Sequence, residues 1–273
     1  MTNKIRDELE KIVKEEANKG GFYGTIILEE AKENGGSVDL GSREIKIQYN
    51  PLDAQKNPDE IKKIIKALIR HEINHIGYKG LKGCPRNLGN EDKLLVEPMR
   101  KVALEKGYIK ENCNGCNNDI VDLASYVEDV IVWADLSKKF SLDGAIPFLK
   151  EALDFWSGFG EAFVRLNLYL WGNKKQKKEL KEYLTYSKEI NNALKNFLEK
   201  TGISNLKQKI EIYEKGKKKT IEVKDRETIK EFLANEKNWP RIAEVFVEEF
   251  GKLYVWEEEL KERIEKAKQS SKI

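Results

Sequence analysis

The sequence predicts an α+β fold that is predominantly helical. Three observations support this class: apolar residues recur at helical spacing through most of the chain, only a few short segments alternate as strands do, and glycine or asparagine turns separate these segments. We expect two regions. Residues 1–145 combine helices with a small antiparallel sheet, and residues 146–273 are mainly helical with a basic hairpin near residues 209–223.

The small sheet is predicted from two short segments near the N-terminus. Residues 22–28 are rich in apolar and aromatic side chains, and Glu44–Tyr49 alternates strictly between apolar and polar residues. A glycine turn at Gly35 and Gly36 lies between them. We therefore expect the two segments to pair as a small antiparallel unit.

Two helices in this region have well-marked ends. Residues 3–18 read as a charged amphipathic helix that two glycines close. A second helix begins with Asn57 as N-cap and Pro58 at its first position, and Gly77 is placed to end it. Its apolar residues recur at helical spacing and are Ile61, Ile64, Ile65, Leu68, Ile69, Ile73 and Ile76.

The rest of the chain is predicted to be helical apart from one hairpin. The predicted helices cover residues 97–106, 119–138, 146–171, 174–200, 226–250 and 256–268. The hairpin covers residues 209–223 and turns at Lys215 and Gly216.

Composition limits the classes of partner. The 50 Lys and Arg residues nearly balance the 47 Asp and Glu residues, so the net charge of +3 gives no reason to expect nucleic acid or an anionic membrane surface. The charged N-terminal residues lack the apolar core of a signal peptide, and no apolar run is long enough to span a bilayer, which predicts a cytoplasmic protein. Abundant Lys and Glu with few His and Met is typical of a thermophile's ion-pair-rich surface.

The chemistry-bearing motif is the segment His71-Glu72-Ile73-Asn74-His75 on the predicted helix that begins at Pro58. Histidines four residues apart project from one helical face, so both imidazoles can reach one metal ion. Glu72 is placed where its carboxylate can take a proton from a metal-bound water. The chain holds only two histidines and both fall in this motif, which favours a metal site over two unrelated surface histidines.

This segment resembles the zincin superfamily of zinc metallopeptidases, which carry the H-E-x-x-H motif. The resemblance covers the helix around residues 58–77 and the strand Glu44–Tyr49 before it. It implies a zincin-like catalytic region with Zn²⁺ as cofactor, His71 and His75 as ligands and Glu72 as general base. It also implies that the strand lies at the sheet edge, where the backbone of a peptide substrate pairs beside the metal.

The third ligand is predicted to be a carboxylate, because no third histidine exists; the metzincin position for one is Leu81. The candidates are Glu128 and Asp129, an acidic pair inside an apolar helix, where an unpaired charge is costly. Adjacent residues differ by about 100° around the helix axis, so only one of the two is expected to meet the metal. Glu128 lies on the more apolar face.

The two candidates remain equal at the level of sequence. Gluzincins use a Glu ligand with Asp four residues later, and here that position is Val132, so the gluzincin-like pattern is only partly met. Some H-E-x-x-H proteins have an Asp ligand in a comparable acidic helix, and the position of Asp129 resembles the position of that ligand. Solvated helix charges on both residues are the competing interpretation, and Cys84 is the outside candidate for the third ligand.

Three cysteines, an odd number, do not form a secreted disulfide framework. Cys84, Cys113 and Cys116 together fit a second, structural zinc ion, with Asp119 as a candidate fourth ligand. A Cys113–Cys116 disulfide and three unconnected thiols are the alternatives.

The sequence therefore predicts a zinc-dependent metallohydrolase, with peptidase the activity that the family resemblance implies and a peptide or protein as its substrate. The alternative is a non-catalytic binding or scaffold protein with a zincin fold and a structural or vestigial metal site.

Overall fold

Helices predominate in the computed structural model, which describes residues 2–79, 83–85, 89–111, 116–185, 187–214 and 217–256. The helices are α1 (Thr2–Gly20), α2 (Pro51–Lys56), α3 (Pro58–Ile76), α4 (Glu97–Glu105), α5 (Cys116–Leu136), α6 (Ile146–Leu170), α7 (Lys174–Leu180), α8 (Lys188–Lys200), α9 (Arg226–Leu233) and α10 (Trp239–Phe250). The strands are β1 (Thr25–Glu30), β2 (Gly35–Asp39), β3 (Glu44–Tyr49), β4 (Lys207–Glu214) and β5 (Lys217–Lys224). The prediction of a mainly helical α+β chain is confirmed.

None of the helices within the described ranges combines the length and the apolar character that crossing a membrane requires.

The N-terminal sheet has three strands in the order β1-β3-β2. β1 runs parallel to β3, and β2 runs antiparallel to it. The predicted antiparallel pairing of residues 22–28 with Glu44–Tyr49 was therefore wrong, because these segments form the parallel pair β1 and β3. The predicted alternation of β3 is confirmed, since Ile45, Ile47 and Tyr49 are its buried residues. β3 is the central strand, so the expectation that Glu44–Tyr49 lies at the sheet edge was also wrong.

The error arises from Gly35 and Gly36, which begin strand β2 and do not form a turn. The chain reverses four residues later, where the Asp39 carboxylate accepts hydrogen bonds from the backbone N–H groups of Gly41 and Ser42. Arg43, with a positive φ of 55°, completes this reversal. A side chain that satisfies two turn amides is a strong local turn signal, and it outweighs the pair of glycines.

Helix α3 begins and ends where its sequence predicts. Pro58 occupies the first turn, and Gly77 ends the helix in the left-handed conformation with φ 102°. Asn57 stands at the N-cap, but its side chain makes no capping hydrogen bond. The apolar face of α3 packs against α1 and the sheet, while other residues of α3 contact α5. The helix that carries the two histidines is therefore held on both sides.

Two long helices predicted further on are each divided. The segment predicted as 174–200 breaks after α7, where buried Glu161 accepts hydrogen bonds from both the backbone N–H and the hydroxyl of Thr185. The segment predicted as 226–250 breaks between α9 and α10, where the Asn235 side chain caps a short turn. Residues 257–268 of the last predicted helix lie outside the described residues. The two strands of the basic hairpin are confirmed as β4 and β5, in antiparallel register, and the predicted turn residues Lys215 and Gly216 lie outside the described residues.

The buried apolar residues form two clusters. The first joins α1, α2, α3 and β3, and the second joins helices α4 to α10. α3 belongs mainly to the first cluster and α5 belongs to the second. Their contact therefore lies where the two clusters meet. The predicted division of the chain at residue 145 stays a prediction.

Candidate metal centre

The two histidines of the motif and one carboxylate of α5 meet at a single point. Asp129 Oδ1 lies 3.2 Å from His71 Nε2 and 3.4 Å from His75 Nε2. The two Nε2 atoms are 3.2 Å apart. Asp129 is 58 residues from His71 in the chain, so this convergence is a product of the packing of α5 on α3.

The dimensions of this triangle fit a tetrahedral metal ion. Zinc binds nitrogen and oxygen ligands at about 2.0–2.1 Å, which places ligand atoms of a tetrahedron about 3.3 Å apart. All three edges of the triangle lie within about 0.1 Å of that value. The donor set of two imidazole nitrogens and one carboxylate is the set that zinc accepts, and it leaves a fourth position for a further ligand.

The Asp129 carboxylate and the His75 imidazole shift each other's protonation. Burial opposes the charged form of each group, but the hydrogen bonds between Asp129 and the two imidazoles outweigh burial and hold the pKa of Asp129 far below its usual range. Burial also lowers the pKa of His75, yet interactions in which the protonated imidazole donates to Asp129 and Cys84 raise it well above its ordinary value. A metal ion and a proton therefore compete for the same nitrogen.

Glu72 lies in the same cavity with its side chain buried. Burial raises its pKa, the neighbouring histidines oppose this shift, and Asp129 adds to it. A carboxylate with a raised pKa is a better proton acceptor, as a general base requires. The carboxylate packs against the backbone of β2, where a Cβ atom placed on Gly36 would lie 2.6 Å from Glu72 Oε1.

Glu128, the other predicted candidate, is fully buried, whereas the Asp129 side chain is 24% exposed. Glu128 groups with His75 and Cys84, and one ligand atom of each lies within 4.8 Å of the others. Glu128 also lines the cavity that holds Asp129 and Glu72. Of the two carboxylates, Asp129 is the one that reaches both imidazole nitrogens.

This cavity, of about 190 Å³, is strongly acidic. Three of its lining residues are carboxylates, and Lys and Arg are absent from the described residues that line it. Carboxylates held this close repel one another unless a cation or protons compensate their charge. The cavity therefore requires compensating positive charge, which a bound cation or protons on its histidines and carboxylates would supply.

Trp133 and Asn74, which the sequence did not single out, hold the histidines in place. The Trp133 ring stacks on the His71 ring with centroids 4.3 Å apart. Asn74 Nδ2 donates to Val132 O on α5, and Asn74 Oδ1 accepts from the backbone N–H of Tyr78. The sequence contains a pattern that could have identified each residue. Trp133 lies one turn after Asp129 on the same helical face, and Asn74 is a polar residue on a buried face.

Strand β2 was not predicted from the sequence either. Its residues Gly36, Ser37 and Val38 line the cavity, together with Leu40 just beyond the strand. As an edge strand of the described sheet, β2 takes the position that the family resemblance assigned to β3. The strand was missed because its two glycines were interpreted as a turn.

The predicted structural zinc site is described only in part. Cys84 is fully buried and its thiol donates to His75 O at 3.3 Å. Cys113 and the side chain of Cys116 lie outside the described residues. The described neighbours of Cys84 that offer metal-binding atoms are His75 and Glu128.

No family model matches this chain, and searches against curated proteins and against solved structures give no significant match.

Proposed function

We propose that this chain is a zinc-dependent hydrolase of the zincin type that cleaves amide bonds in peptides. One observation carries the proposal: His71, His75 and Asp129 place three donor atoms at the spacing of a tetrahedral zinc ion, with Glu72 beside them in one cavity. Each part has a distinct chemical role.

His71 Nε2, His75 Nε2 and Asp129 Oδ1 would hold the ion. A zinc ion bound by three protein ligands acidifies water at its open position and polarises a carbonyl group. Glu72 accepts the proton of the attacking water on its carboxylate and then delivers it to the leaving amine. Its burial against Gly36 limits the orientations that the carboxylate can take.

Strand β2 would align the substrate. An edge strand offers unpaired backbone N–H and C=O groups, and an extended peptide can add to it as a further strand. Because Gly36, Ser37 and Val38 line the acidic cavity, a peptide on this edge would pass beside His71 and Glu72. A peptide backbone is therefore the favoured substrate among amides.

The test combines zinc content with hydrolysis of a mixed peptide library read by mass spectrometry. The wild-type protein should hold one equivalent of zinc at this site and cleave peptides. Glu72→Gln should keep that equivalent and lose cleavage by a factor of at least about 10², the range attributed to general acid–base catalysis. His71→Ala and His75→Ala should lose both.

Each result tests a different part of the proposal. Zinc content unchanged in both histidine variants would refute the metal site. Cleavage by Glu72→Gln at the wild-type rate would refute the mechanism. Bound zinc without cleavage of any peptide by the wild type would favour the non-catalytic scaffold instead.

A further inference from the structure

Two buried residues outside the three proposed ligands converge on His75. Cys84 follows α3 in the chain, and Glu128 lies on α5 beside Asp129. Both are fully buried, and one ligand atom from each lies within 4.8 Å of the other and of a His75 ring nitrogen. His75 is therefore approached from two separate elements.

The segment that carries Cys84 is fixed tightly against the end of α3. The backbone N–H and the thiol of Cys84 both donate to His75 O, each at 3.3 Å. Gly83 has φ +86°, and a Cβ atom on it would lie 3.1 Å from Gly77 N. The position of the Cys84 sulfur is thus set by backbone contacts, which leaves the thiol little freedom to move.

The chemistry of a metal-binding imidazole requires such a neighbour. His75 Nε2 faces His71 and Asp129, so it must be free of its proton when it binds a metal. The ring proton then resides on Nδ1, which needs an acceptor to fix the tautomer and the ring orientation. The Cys84 sulfur lies within 4.8 Å of a His75 ring nitrogen, and a thiol can accept one hydrogen bond while it donates another.

We propose that Cys84 and Glu128 are positioning residues that hold the His75 imidazole with its Nε2 directed at the metal. This inference rests on the proposed zinc site. It gives separate roles to the two adjacent acidic residues of α5: Asp129 binds the metal, and Glu128 supports a ligand of that metal. Helical geometry allows this division, since neighbouring side chains point about 100° apart.

The His71 imidazole differs from that of His75 in how it is held. Its Nδ1 is buried and has no hydrogen-bond partner among the described residues. The Trp133 ring, stacked at 4.3 Å, orients the His71 ring by packing. The two ligands are therefore held by different means, and only His75 should respond to changes at Cys84 and Glu128.

The test measures zinc affinity by competition with a chelator. Cys84→Ala and Glu128→Gln should each weaken binding by about 10–100-fold, the usual effect of losing the hydrogen-bonding partner of a metal ligand. Cys84→Ser should recover part of the loss, because a hydroxyl also accepts and donates. Asp122→Asn, an exposed change on the same helix, is the control and should bind as the wild type does.

A cobalt-substituted protein separates positioning from ligation. The visible spectrum of bound Co²⁺ should change in Cys84→Ala and revert towards wild type in Cys84→Ser. A thiolate-to-cobalt charge-transfer band that is present in the wild type and lost in Cys84→Ala would make Cys84 a ligand and overturn the proposal. Unchanged zinc affinity in both Cys84→Ala and Glu128→Gln would overturn it as well.

Failure of the zinc site itself is distinguishable. It would appear as absent zinc binding in the wild type, before any variant is compared. The melting temperature of each metal-free variant separates a general loss of folding from a weakened ligand. Glu128→Gln preserves the shape of the side chain, so it tests the assignment even if Cys84→Ala folds poorly.

Discussion

At the scale of single residues, the close approach of Gly36 to Glu72 links the sheet to the proposed chemistry. Any side chain at residue 36 would enter the space that the Glu72 carboxylate occupies, since an added Cβ would also lie 3.0 Å from Glu72 Cγ. The φ angle of Gly36 is not positive, so the glycine is required here for space and not for backbone conformation.

We predict that Gly36→Ala displaces the Glu72 carboxylate and reduces peptide hydrolysis by at least about tenfold, because general-base catalysis depends on hydrogen-bond reach. Zinc content should stay at the wild-type level, since the three atoms nearest the added methyl group all belong to Glu72, which is not a proposed ligand. The rate of peptide cleavage and the zinc content of the purified variant provide the measurement.

Gly35→Ala is the matched control. Its added Cβ would lie 3.6 Å from Gln48 Oε1, an ordinary contact distance, so activity should be retained. Equal loss of activity in both variants would show that the substitutions disturb strand β2 as a whole. That result would contradict a specific role for Gly36.

At the scale of elements, α3 is joined to α5 and α1 by buried polar contacts. Asn74 is fully buried and bridges α3 to Val132 O and Tyr78 N. On another face of α3, Arg70 Nε donates to Glu16 Oε2 of α1 at 2.7 Å. These contacts fix how α3 is rotated and hence where its histidines point.

We predict that Asn74→Leu destabilises the protein by about 1–3 kcal/mol, because it leaves the buried Tyr78 N–H without its acceptor. It should also weaken zinc binding, since α3 and α5 lose a contact one residue from His75. Asn57→Ala, at the N-cap of the same helix, is the comparison. It should cost less than about 0.5 kcal/mol, as its side chain makes no capping bond. Urea unfolding of both variants is the check, and a larger loss in Asn57→Ala would contradict the argument.

The Glu16 contact predicts a pH dependence of stability. Burial opposes ionisation of Glu16, but its hydrogen bonds with Arg70 and Lys19 outweigh burial and lower its pKa below the ordinary value of 4.5. A carboxyl group with a lowered folded-state pKa stabilises the fold above its unfolded-state pKa, and this contribution is lost as the pH falls through the folded-state pKa. The contribution should therefore be complete at pH 7 and decline below about pH 4.5.

We predict that Glu16→Gln lowers the free energy of unfolding by about 1–3 kcal/mol at pH 7 and by less at pH 3. Glu10→Gln removes the same charge from the same helix, but Glu10 is exposed and pairs with exposed Arg6, so its effect should stay below about 1 kcal/mol. Urea unfolding at pH 7, 5 and 3 gives the comparison. A Glu16→Gln effect that is constant with pH would exclude the ion pair as its cause.

At the scale of the whole molecule, the proposed metal joins the two hydrophobic clusters. His71 and His75 lie on α3, which packs mainly in the first cluster, and Asp129 lies on α5 in the second. A ligand that binds only the folded arrangement of both clusters stabilises that arrangement by mass action. Zinc binding should therefore report on the stability of the molecule as a unit.

We predict that excess zinc raises the melting temperature of the metal-free protein, with a stabilisation of about 4 kcal/mol when free zinc exceeds its dissociation constant a thousandfold. Asp129→Ala should abolish this response, whereas Asp122→Ala, at an exposed residue two turns earlier on the same helix, should retain it. Calorimetry with and without zinc is the measurement. A zinc response that survives in Asp129→Ala would remove Asp129 from the ligand set.

The sequence by itself determined the features that depend on local periodicity. The bounds of α3, its histidines on one face and the alternation of β3 follow from repeats of about 3.6 and 2 residues, which short segments express alone. The antiparallel pairing of β4 with β5 follows from the short distance between them in the sequence. Each of these features needs only neighbours within a few residues.

Tertiary structure decided the features that depend on distant partners. The parallel pairing of β1 with β3 and the edge position of β2 require three separated segments to meet, and no local pattern encodes that order. Whether Glu128 or Asp129 faces the histidines depends on how α5 is rotated against α3. A difference of about 100° between neighbouring residues is too small to be assigned from periodicity in a helix that is apolar on several faces. The surroundings of Cys84 could not be predicted from the sequence either, because Glu128 lies near Cys84 only after α5 has packed on the end of α3.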